Sequence, residues 1–150
     1  MNLMKSARTK QSLVLAALIT LSASATAFAQ NKVIGFTKGT PLSEGYIAGN
    51  TLYIAGHIGT DAQGKVIGID ITQQTTNAIV AVKKVIEDAG FQDADIVSVT
   101  IYVTDLNDVP AMNAVYKKLI PDPKPARATV QVAGLIGGAK IEISAIAVKH

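Results

Sequence analysis

Two side chains near the C-terminal end have the types needed to hold and alter a small anion. Arg127 sits in Pro125-Ala126-Arg127-Ala128-Thr129-Val130-Gln131-Val132, and Glu142 in Lys140-Ile141-Glu142-Ile143-Ser144-Ala145-Ile146-Ala147-Val148. A guanidinium offers a planar fork of donors that matches a carboxylate bidentately. A carboxylate within reach can take a proton from water and return it to a leaving amine. Together they suit binding a small carboxylic acid and moving its protons. The competing reading is structural: Arg127 and Glu142 paired with each other, or Glu142 paired with Lys140 or Lys149.

The elements that must position them follow from residue periodicity. Both segments alternate as strands do. On the first, Ala128, Val130 and Val132 share one face, and Arg127, Thr129 and Gln131 the other. On the second, Ile141, Ile143 and Ala145 oppose Glu142 and Ser144. With the apolar faces turned to the core, Arg127 and Glu142 are predicted to point together, away from it. Gly134, Gly137 and Gly138 read as a hairpin-type turn joining the two strands.

Upstream, 33–37 reads as a first strand, and 46–48 and 51–55 flank the hairpin pair Gly49-Asn50. Asp70 is placed to cap a helix whose apolar stripe is Ile71, Thr75, Ala78, Ile79, Val82, Ile86 and Ala89, ended by Gly90. Residues 95–104, rich in β-branched side chains, read as a strand. Asn107 or Asp108 is expected to cap a second helix with Pro110 in its first turn and a stripe of Val109, Met112, Val115, Tyr116 and Leu119. The order β-β-β-α-β-α-β-β predicts an α+β fold, two helices packed on one face of a mixed sheet.

Bulk properties exclude several classes. Lys5, Arg8 and Lys10 precede an apolar run from Leu13, and Ala27-Phe28-Ala29 reads as a cleavage site. Residues 1–29 are therefore expected to be a Sec-type signal peptide, and 30–150 a single exported domain, periplasmic or secreted, with no membrane anchor. Those three cations account for the whole formal charge of +3; residues 30–150 carry 11 residues of each sign. No basic nucleic-acid surface is implied. With Cys 0, neither disulfides nor thiol chemistry is available. No metal-ligand motif, phosphate loop or nucleophile elbow occurs, so no cofactor or metal is expected.

The two C-terminal segments, with Gly49-Asn50-Thr51-Leu52-Tyr53-Ile54-Ala55-Gly56-His57-Ile58-Gly59, Val103-Thr104-Asp105-Leu106-Asn107-Asp108 and Met112-Asn113-Ala114-Val115-Tyr116, resemble the RidA/YjgF family, the reactive-intermediate deaminases. The likeness runs from about Ile34 to Val148. It implies a chorismate-mutase-like two-layer sandwich, a homotrimer with clefts between subunits, and hydrolysis of 2-imino acids without a cofactor. It assigns the substrate carboxylate to Arg127, the water to Glu142 and the backbone carbonyl of Thr129, and a supporting role to Asn113. Tyr116 reads as core.

Leu42 and Ala55 depart from the family pattern, where an aromatic residue and a serine are common. His57 is a candidate replacement for the missing hydroxyl, against a purely structural reading. The alternative to a deaminase is a non-catalytic trimer that binds small carboxylates. Relatives are also labelled ribonucleases, which the balanced charge disfavours.

Overall fold

The computed structural model describes residues 31–149. The expected leader and its cleavage point lie outside the described residues. The elements are β1 (Lys32–Ile34), β2 (Gly45–Ala48), β3 (Thr51–His57), α1 (Ile71–Asp88), β4 (Ile96–Val103), α2 (Val109–Leu119), β5 (Ala126–Gln131) and β6 (Ile141–Val148), in the order the sequence pattern predicts. One six-stranded sheet runs β1-β2-β3-β6-β4-β5. Every neighbouring pair is antiparallel except β4 and β5, which run parallel with α2 as their crossover. Both helices cover one face, giving a two-layer α+β sandwich.

The core lies between these layers. Leu52, Val99, Ile101, Val103, Ile141 and Ile143 from the sheet meet Ile71, Ala78, Ile79, Val82 and Ile86 of α1 and Met112, Val115 and Tyr116 of α2. Ile101 and Ile141 are wholly buried, so truncating either to alanine costs about 2–5 kcal/mol. The predicted stripe of α1 is buried throughout.

Local chemistry sets the helix ends. The Asp70 carboxylate accepts from the Gln73 N–H at 2.8 Å. At the other end the Gly90 N–H donates to the Glu87 carbonyl and the Phe91 N–H to that of Ile86, with Gly90 at φ 72°. The second helix starts differently from expectation. A short turn, Leu106–Asp108, precedes it, and Asp105 caps that turn by accepting from the Asn107 N–H at 2.8 Å. The Asp108 carboxylate makes no cap; it pairs with Lys140 at 3.2 Å.

Two further expectations are overturned. First, β5 and β6 form no hairpin, because β4 lies between them. The segment around Gly137 and Gly138 instead crosses the end of β4 with both glycines at positive φ. Second, Arg127, Thr129 and Gln131 face the helix layer. They align with Val99, Ile101 and Val103, which are core residues of β4. The apolar residues of β5 lie on the other, open face, where Val130 is 46% exposed. That face also carries exposed Val33, Tyr46 and Tyr53, around Ser98, Thr100 and Ser144. No described element covers it.

Candidate functional site

Arg127 and Glu142 point to opposite faces of the sheet. Arg127 shares a face with Val99; Glu142 aligns with Tyr102 and alternates against buried Ile141 and Ile143. The expectation that they point together is overturned, the competing reading of an ion pair between them fails with it, and neither side chain has a charged partner among the described residues.

Arg127 instead lies over the ring of Tyr116, 4.7 Å from guanidinium carbon to centroid. Such a contact on a desolvated ring contributes about 1–2 kcal/mol and limits where the guanidinium can turn. Residues three and four apart share a face of a helix. Asn113, Tyr116 and Lys117 accordingly line one cavity of about 280 Å³ with Lys124, Pro125 and Arg127. Asn113 and Arg127, each expected at the site, thus line the same cavity. Tyr116, read there as core, is both: its ring is buried, and it floors this cavity. Its hydroxyl is buried without a partner. Burial raises the phenol pKa above its ordinary value, and the nearby Arg127 charge works the other way.

Thr129 is next along the same side of β5. Its hydroxyl is also buried and unpartnered. The Val132 N–H bonds the Val103 carbonyl, so in this parallel ladder the even-numbered residues of β5 turn their backbone groups to β4. The N–H and C=O of Arg127 and Thr129 therefore point to the free edge of the sheet, where the Thr129 carbonyl can accept from water.

Glu142 is placed by a fault in β3. Ile54 pairs with Ala145 but His57 with Ile143, so one extra residue is inserted. This bulge turns both Ala55 and Gly56 to the open face and returns His57 to the core side. The Glu142 carboxylate then fills the space beside Gly56, where an added Cβ would lie 2.0 Å from Oε1. His57 is 9% exposed and approaches the Glu44 carboxylate at 3.5 Å. It is on the far side of the sheet from Glu142 and cannot stand in for a hydroxyl at Ala55. Leu42 is 57% exposed in the loop before β2.

The arrangement is two separate clusters on opposite faces of the sheet. One holds a cation on an aromatic floor beside an amide; the other holds a carboxylate beside a bulge. Among the described residues no cluster of acids and histidines could hold a metal ion.

Residues 36–149 match the family described as Endoribonuclease L-PSP. A RutC family protein of Pyrococcus horikoshii is 41% identical over 111 residues, covering 73% of this chain and 88% of its own. A 2-iminobutanoate/2-iminopropanoate deaminase of Dermatophagoides farinae is 37% identical over 109 residues, covering 72% and 85%. The crystal structure of the YjgF gene product of E. coli superposes with a TM-score of 0.73 at 35% identity, covering 79% of this chain and 99% of that one. The match over almost all the described residues, with the same two-layer fold, places the chain in the endoribonuclease L-PSP family, the RidA/YjgF group.

Proposed function

We propose that the protein hydrolyses small 2-imino acids, and the enamines that tautomerise to them, to 2-keto acids and ammonia. One observation carries this reading: an arginine without an acidic partner, seated on a buried ring at the mouth of a cavity of about 280 Å³. An unpaired guanidinium so held is prepared for a carboxylate ligand. Relatives named as 2-iminobutanoate/2-iminopropanoate deaminases support the same chemistry.

The reaction needs both half-sites, and one chain cannot bring them together through its own sheet. A second copy that presents its open face to the free edge of β5 can set its Glu142 against the first copy's Arg127; a homotrimer does this three times. Arg127 and Asn113 hold the substrate carboxylate. Water, accepted by the Thr129 carbonyl and by Glu142 of the partner subunit, adds to the imine carbon. Glu142 takes a proton from that water and delivers it to nitrogen, giving the carbinolamine; it then carries the hydroxyl proton to the amine as the C–N bond breaks, releasing ammonia and leaving the keto acid. The imine carbon is already electrophilic, so positioning and proton transfer suffice. The apolar run of 13–19 and the Ala27-Phe28-Ala29 site add that this work is done after export, outside the cytoplasm.

A second reading, a carboxylate-binding trimer without turnover, is favoured by one feature. Ala55 leaves the bulge beside Glu142 without a side-chain hydroxyl of its own, and His57 is turned away from it. The test is imine loss. Imino acids are generated in place by an amino-acid oxidase and trapped with semicarbazide, with purified wild type and Arg127→Ala side by side. Faster loss with wild type alone supports the deaminase. Equal loss, with a carboxylate still bound, supports the second reading.

A further inference from the structure

The cavity at Arg127 is more cationic than a simple 2-imino acid requires. Three cations line it, Lys117, Lys124 and Arg127, and no acid does. Lys124 is fixed in place: its Nζ donates to the Ile120 and Lys117 carbonyls at the C-terminal end of α2. Asp122, 3.3 Å from that nitrogen, offsets its charge only in part, since the aspartate side chain is 85% exposed. Lys117 and Arg127 have no acidic partner among the described residues.

Lys117 has an ordinary explanation, that a lysine in the last turn complements the helix dipole. Lys118 and the Lys124 ammonium already serve that end. Lys117 differs from Lys118 in lying four residues after Asn113, which brings it to the cavity face of α2. A monocarboxylate on Arg127 leaves its charge facing nothing.

Resting on the reading of this cavity as the substrate site, we propose that the preferred substrates are acidic 2-imino acids, whose side chains end in a second carboxylate. Arg127 takes the 2-carboxylate through its fork, and Lys117, with the fixed charge of Lys124 behind it, takes the distal one. A five-carbon dicarboxylate is small enough for a cavity of about 280 Å³.

The test uses binding of the stable keto acids to the purified full assembly by calorimetry, and so does not depend on turnover. Wild type is expected to bind 2-oxoglutarate roughly three- to tenfold more tightly than 2-oxobutanoate at low salt, with the advantage shrinking as salt rises. Lys117→Gln brings the ratio close to one, and Lys117→Glu takes it below one; thermal unfolding checks that both variants fold. A wild-type ratio of one or less overturns the proposal, as does an advantage that survives in both variants. Equal binding of both acids, abolished in Arg127→Ala, removes this inference alone. Absence of any binding removes the substrate-site reading with it.

Discussion

The Glu142 carboxylate occupies the space that a side chain at residue 56 would fill. The bulge in β3 and the absence of a Cβ at Gly56 are therefore one device: the bulge turns the backbone to the open face, and the glycine makes room there. A methyl group at this position must displace the end of a flexible side chain, not backbone. We expect Gly56→Ala to fold with unchanged circular dichroism while kcat falls about tenfold or more, the scale expected of a misplaced proton-transfer group. An unchanged kcat would remove Glu142 from the reaction.

Division of the site between faces predicts complementation. Arg127→Ala and Glu142→Ala should each be inactive alone. Unfolded together in equal amounts and refolded, they form mixed trimers in which one junction joins an intact Arg127 to an intact Glu142. Activity should return to about a quarter of wild type. A site built within one chain would show no recovery.

Tyr116 predicts a pH effect. Its pKa is raised on folding by burial, so the folded state retains a proton that the unfolded chain gives up above about pH 10. Stability linked to this group is present below that pH and is lost as pH rises through the folded pKa. Tyr116→Phe keeps the ring under Arg127 and removes a buried hydroxyl that has no partner. The variant should be as stable as wild type at neutral pH, or more so by up to about 1 kcal/mol, and its advantage should grow above pH 10. Denaturant unfolding at neutral and alkaline pH checks both points.

Asp70 tests stability apart from chemistry. Its cap on α1 contributes about 1 kcal/mol, so Asp70→Ala should lower Tm by roughly 3–6 °C. KM should stay as in wild type, because Asp70 is not among the residues lining the Arg127 cavity.

The first helix was legible in the sequence because one residue type at one position settles each feature: Asp70 at a cap, Gly90 at a left-handed stop, a stripe of apolar residues between; at the second, the capping residue was misplaced because a short turn precedes it. The strands were legible as strands but not as neighbours. Alternation in 126–131 separates two faces without saying which the helices cover. In an edge strand the usual rule reverses, since Arg127 lies against Tyr116 of α2, with Thr129 on the same side, while Val130 serves a face that a single chain leaves bare. The bulge at Ala55 and Gly56 shifts the parity of β3 by one residue, so counting from Leu52 and Ile54 puts His57 on the wrong side. Arg127, Asn113, Thr129 and Glu142 came from motif likeness; spacing alone would have paired the first and last across one surface. Lys117 was missed, though its four-residue offset from Asn113 was there to read.

The thickness of the sheet also has a consequence for how such a protein can diverge. The guanidinium and its aromatic floor touch nothing that the bulge and its carboxylate touch, since a layer of backbone separates them. On the proposed function, changes on α2 would retune the grip on the acid without disturbing Glu142, and changes in β3 would do the reverse. Selectivity and turnover would then be two independently adjustable modules of one small chain.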